Sequence, residues 1–160
     1  MTGQQGASSC TVEPMSVDTE SLVFQKQLVA LVRACGLHNP DRTPCGQPVP
    51  ISEAHALMEI GRGDPISQTE LGSRLHLEKS TVSRLVRILE QRGWISRERS
   101  LRDGRVDELC LTSEGAKVER DLGWARARRF ATVCAQIPED ERPGVFRSIE
   151  ILVEALRVTD

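Results

Sequence analysis

Between residues 79 and 87 the chain reads KSTVSRLVR, and six of these nine side chains, Lys79, Ser80, Thr81, Ser83, Arg84 and Arg87, carry hydrogen-bond donors. Ammonium, guanidinium and hydroxyl groups are the donor set that phosphate oxygens and base edges accept from, and an arginine can present two parallel N–H bonds to one partner. The same residues also suit a solvated helix face, and a serine or threonine at a helix start can simply cap it. Spacing separates the readings. Val82, Leu85, Val86 and Leu89 recur at intervals of three and four, which gathers the apolar side chains on one face of a helix over about 79–91 and leaves the donors on the other.

A second group, Cys35, His38, Cys45 and His55, flanks a segment containing Pro40, Pro44, Pro48 and Pro50. Thiolate and imidazole have the donor atoms for a zinc or copper ion, and two thiols offer a target for an oxidant or another thiol-reactive effector. A Cys-x9-Cys spacing is no established metal pattern, and each Cys reads equally as a small buried hydrophobe and each His as a satisfied surface residue. Cys110 and Cys134 read as packing residues, and His76 as a surface polar group in a turn. There is no GxSxG, Walker-type or HExxH pattern, so the residues do not suggest an enzyme.

The elements that must carry these side chains follow from periodicity and punctuation. Leu22, Val23, Leu28, Val29, Leu31 and Val32 predict a first helix over about 19–35, capped by Asp18 or Thr19 and stopped by Gly36. The Pro- and Gly-rich stretch 35–50 forbids a helix interior or central strand. Ser52 is expected to cap a helix carrying Ala54, Leu57, Met58 and Ile60, and Ser67-x-x-Glu70 is a capping box opening a short helix with Leu71 and Leu75. The 79–91 helix follows so closely that the pair reads as a helix-turn-helix. From Trp94 to Leu111 the period shifts toward two around a polar Asp-Gly centre, as in a β-hairpin wing. Thr112 caps a long helix over about 113–136, and a final helix reaches about Val158, starting either at Pro138 with a kinked first turn or near Pro143.

Composition and charge set the frame around these elements. The 160 residues are 39% hydrophobic but only 3% aromatic, so the core must be aliphatic, which favours packed helices over a β-sandwich. The net charge of −2 gives no global attraction to nucleic acid. Its distribution does: residues 79–105 hold eight Lys or Arg against three acids, while the chain on either side is acidic. The five cysteines form no CxxC pair, no basic N-terminal region leads into an apolar run, and no segment approaches the ~18 apolar residues of a membrane span. A cytoplasmic protein with reduced thiols and no membrane partner is expected.

The segment 63–115 resembles the core of the multiple antibiotic resistance regulator (MarR) family. The fragments that carry the resemblance are STVSRLVRILEQRGWI, the Asp103-Gly104-Arg105 wing motif, and Leu111-Thr112 followed by Gly115. The resemblance implies a mainly α fold with a small β-hairpin wing, a winged helix-turn-helix whose terminal helices pair two subunits. Residues 1–17, rich in Gly, Ser, Gln and Thr without periodicity, are expected to form a flexible arm, and the resemblance places a single domain at 18–160, with the head at 51–112 and dimerisation helices at 18–36 and 113–160. It implies a homodimeric DNA-binding transcription regulator, a repressor released by a small-molecule, metal or thiol-reactive signal, on double-stranded DNA with a near-palindromic operator. Arg105 would enter the minor groove, held by Asp103, although Gly104 stands where many relatives have a second arginine. Ser67, Gln68 and Thr69 at the first helix start, and Arg97 and Arg99 at the wing base, would face phosphates. Family effectors bind between the helical region and the head, where the Cys and His group lies. The competing expectation is a winged-helix protein-interaction module that binds no DNA, which would have no need of a basic reading face.

Overall fold

The computed structural model describes residues 18–63, 65–99 and 107–158, so the N-terminal arm and the wing residues Asp103 and Arg105 lie outside the described residues. The chain divides into two compact units, residues 1–35 and 36–160. The first holds helix α1 (Thr19–Cys35). Asp18 starts it: its carboxylate accepts the Ser21 N–H at 2.7 Å and the Ser21 hydroxyl at 2.9 Å, and these bonds hold it below the ordinary carboxylate value. No residue of α1 is buried, and Leu22, Phe24 and Leu31 stay exposed.

The second unit runs α2 (Ile51–Ile60), β1 (Ile66–Ser67), α3 (Gln68–Leu75), α4 (Lys79–Gln91), β2 (Ile95–Arg99), β3 (Asp107–Leu111), α5 (Ser113–Ala135) and α6 (Arg142–Val158). It is mainly helical with one small antiparallel sheet of order β1-β3-β2. β2 and β3 form the expected hairpin, in register from Ile95 opposite Leu111 to Arg99 opposite Asp107. β1 adds an unforeseen third strand, Ile66 opposite Leu109. No helix among the described residues is long and apolar enough to cross a membrane.

The core is aliphatic, as composition requires. Leu57 of α2, Ile66, Leu71 of α3, Val82, Val86 and Leu89 of α4, and Leu109 of β3 are fully buried, each contributing about 1.5–3 kcal/mol by removal from water. α5 adds Leu122 to that cluster, whereas α6 buries nothing and leaves Phe146, Ile149, Ile151 and Leu156 exposed.

Two local expectations need correction, and of the two starts left open for the last helix the one near Pro143 holds. Ser52 does not cap α2: Pro50 takes the cap position, its ring holding φ at −54° while its carbonyl accepts the Ala54 N–H at 3.0 Å, so the helix is already running at Ile51. Only half of the capping box closes; Ser67 Oγ accepts the Glu70 N–H at 3.1 Å, but the Glu70 carboxylate turns instead to Arg74. Pro138 opens no helix of its own. The N–H groups of Glu141 and Arg142 turn back onto its carbonyl, and α6 begins at Arg142, leaving Pro143 in a first turn where a missing N–H breaks no intrahelical bond.

Candidate nucleic-acid interface

Helix α4 separates its faces as its periodicity demands. Val82, Leu85, Val86 and Leu89 are buried, while Lys79, Ser80, Ser83, Arg84 and Arg87 are exposed and Thr81 is half-buried. Among the described residues, Lys79, Arg84 and Arg87 form no ion pair, whereas Arg62, Arg74, Arg92, Arg97 and Arg99 each meet a carboxylate. An exposed helix face bearing three uncompensated cations and three hydroxyls has its donors free for an anionic partner.

The flanking residues are organised rather than loose. Gln68, at the start of α3, donates from Nε2 to Ser83 Oγ at 2.7 Å, tying the two helices of the helix-turn-helix together on this face. Arg97 of β2 donates to Glu90 Oε1 at 2.8 Å and to Gln68 Oε1 at 3.3 Å, so the wing base joins the same network. Arg99 sits farther out, 3.7 Å from Asp107. Ser67 is engaged in capping, and Thr69 is exposed beside a groove of about 660 Å³ that Ser73, His76 and Lys79 also line. His76 makes the turn between α3 and α4 at φ 51°, a left-handed conformation that a non-glycine residue adopts at some cost.

Charge spacing alone gave no sign of a second cluster, which sits at the other end of α4. Arg92 follows the last turn and meets Glu53 of α2, thirty-nine positions earlier in the sequence. The Arg92 guanidinium also lies over the Trp94 ring, 4.7 Å from its centroid. Burial pushes the Glu53 carboxyl up, against the pull of Arg92. The start of α5 closes on the same place. The Thr112 N–H donates to the Trp94 carbonyl at 3.0 Å and its hydroxyl to the Gly93 carbonyl at 2.6 Å, while its Oγ1 accepts the Gly115 N–H at 3.1 Å. A Cβ on Gly115 would stand 1.8 Å from the Trp94 carbonyl oxygen, so the approach of α5 to β2 requires glycine there.

Of the cysteine and histidine candidates, Cys35 ends the first unit, and His38, Cys45 and His55 lie in the second. Among the described residues no group of three or more His, Cys, Asp or Glu is placed to hold a metal ion. His38 and His55 line one open groove. His55 and Cys45 line a separate, largely apolar cavity of about 140 Å³, with Ile51, Ala54 and Met58 of α2 and Leu122 of α5. Cys35, Cys45, Cys110 and Cys134 are free thiols, and Cys45 Sγ lies 3.0 Å from Thr43 Oγ1. Burial, reinforced by the carboxylates of Glu98 and Glu108, pushes the Cys110 thiol up and away from the reactive thiolate, in keeping with a packing role.

A helix-turn-helix flanked by a three-stranded sheet, with a basic face on its second helix, defines a winged-helix protein. Residues 49–106 match the MarR family model. It is 30% identical over 66 residues to the HTH-type transcriptional regulator SarZ of Staphylococcus saprophyticus, a match covering 41% of this chain and 45% of that protein. It is 26% identical over 91 residues to the uncharacterized HTH-type transcriptional regulator YdgJ of Bacillus subtilis, covering 57% and 56%. The chain thus spans about half the length of the curated relatives it matches. Among solved structures, the PcaV transcriptional regulator of Streptomyces coelicolor superposes with a TM-score of 0.63 at 26% identity, covering 88% of this chain and 98% of that one. Streptococcus pneumoniae FabT, in its complex with DNA, shares the fold at a TM-score of 0.66 and 23% identity, covering 88% and 96%.

Proposed function

We propose that this chain is a homodimeric DNA-binding transcription regulator that acts by occupancy, as a repressor, and has no catalytic role. The observation that carries the reading is the exposed face of α4, where Lys79, Arg84 and Arg87 have no ion-pair partner among the described residues beside the hydroxyls of Ser80 and Ser83. Such a face is suited to a major groove, with the free N–H groups of the α4 start directed at phosphate. Asp103 and Arg105 join the interface on the strength of the family motif, with the guanidinium in the minor groove. The exposed apolar residues of α6, and separately those of α1, are what a second copy would cover. Of the signals the sequence allowed, a small, largely apolar molecule is favoured by the cavity between α2 and α5.

Titration of the protein with a random-sequence duplex across a salt series tests the reading without knowledge of an operator. Affinity should fall log-linearly with salt, and Lys79→Ala should reduce the slope by about one phosphate contact. Absence of binding at low salt would remove DNA as the partner and leave a protein-interaction module.

A further inference from the structure

Helix α4 is fastened at one end and free at the other. Its last turn runs into Arg92, whose Nε stands 3.0 Å from Glu53 Oε2, out of line for a hydrogen bond, and whose terminal nitrogen donates to Oε1 at 3.4 Å. Arg92 stacks on Trp94, and the Trp94 carbonyl is pinned by Thr112 and crowded by Gly115. The donors of the reading face, Lys79, Ser80, Ser83 and Arg84, lie at the opposite end.

The pair is asymmetric in a telling way. Glu53 is 5% exposed, while the Arg92 side chain keeps 41% of its surface in water and would be well solvated without a partner. Desolvating a carboxylate to meet a half-exposed arginine is a poor source of stability, and such pairs serve geometry better than energy. The 13 residues of α4 span ~20 Å, so a tilt of about 10° at the Arg92 end moves Lys79 by ~3.5 Å, roughly one base-pair step. Glu53 also shares α2 with Ile51, Ala54, His55 and Met58, which line the apolar cavity, so a shift of α2 around an occupant would reach α4 through the same carboxylate.

We propose that Glu53 is a positioning residue for DNA reading, fixing through Arg92 and Trp94 the pitch at which α4 meets the groove. The inference rests on the DNA-binding reading above and adds the route by which α2 controls it.

Two measurements test it, each on the full chain with Glu53→Gln and, as control, Glu59→Gln. Glu59 is a second buried carboxylate of α2 that pairs with Arg62 and, at 3.8 Å, with Arg74 of α3, and has no ion pair with α4. In hydrogen exchange without DNA, Glu53→Gln should speed exchange over 88–94 severalfold, and Glu59→Gln should leave that segment unchanged. In binding, the probes are genomic fragments retained by the wild-type protein and a random-sequence duplex of equal length. Glu53→Gln should weaken the retained fragments about tenfold, the scale of one lost base contact, with the random duplex bound as before. The double variant Glu53→Gln/Arg92→Gln should lose no more than Glu53→Gln alone. Unchanged exchange over 88–94, equal losses on both DNAs, or additive losses would each overturn the proposal. A wild-type protein that did not distinguish retained fragments from random duplex would sink the DNA reading instead, and the exchange result would still decide whether Glu53 anchors α4.

Discussion

Burial holds Glu53 above its ordinary value of 4.5, against the pull of Arg92. The unfolded chain therefore gives up this proton more readily than the folded one, and between 4.5 and the raised folded value the native state binds more protons, so this residue's contribution to stability declines as pH rises. Glutamine cannot ionise and lacks that slope. Urea unfolding at fixed protein concentration should show Glu53→Gln gaining on the wild type as pH goes from acid to neutral; a wild type that gained on the variant would mean that the ion pair outweighs desolvation. The outcome also bears on DNA binding, because a variant at least as stable as the parent cannot lose affinity by unfolding. On the reading face the expectation is plainer. Arg84→Ala and Arg87→Ala each remove an exposed guanidinium that forms no ion pair among the described residues, so far-UV circular dichroism should stay unchanged while affinity for retained genomic fragments falls by about 1–3 kcal/mol wherever the arginine meets a base. Unaltered affinity in both would mean that α4 presents a different face.

At the scale of elements, the junction between α4 and α5 is the tightest point of the fold. Gly115→Ala would ordinarily stabilise a helix by about 1 kcal/mol, yet here the added methyl meets a backbone carbonyl that Thr112 already holds, and overpacking of this kind costs about 1–3 kcal/mol. The midpoint of thermal unfolding should therefore fall for Gly115→Ala and rise for Gly123→Ala, where a Cβ meets nothing within 4 Å; the reverse order would show that α5 does not approach Trp94 this closely. These helices were readable from the sequence because their signals are local: the 3-4 spacing of Val82, Leu85, Val86 and Leu89, the Ser67 and Thr112 caps, and the Gly36 stop all act within a few residues. Strand β1 was not, since two residues carry no period and its partner Leu109 lies in the wing. The Glu53–Arg92 pair was equally hidden, because a lone Glu on an amphipathic helix looks like solvated surface until the fold brings a distant arginine to it.

For the whole molecule the unanswered demand is the apolar residues that α1 and α6 each leave exposed. Neither helix buries a residue within the chain, and Phe146 and Ile149 stand on α6 at helical spacing with Leu156 further along. A second copy covering the α6 residues would make a two-fold assembly with two reading helices. Phe146→Glu/Ile149→Glu should then convert a dimer to a monomer by light scattering and weaken DNA binding with the α4 face intact; a wild type that is already monomeric would refute the assembly. Two reading heads on one duplex also impose a spacing, and that spacing tests the central claim most directly. Genomic fragments retained by the purified wild-type protein should, when sequenced, share an inverted repeat with half-site centres about one helical turn, ~10 bp, apart. Retained fragments with no common element, or none enriched over the input, would contradict a dimeric reader of DNA.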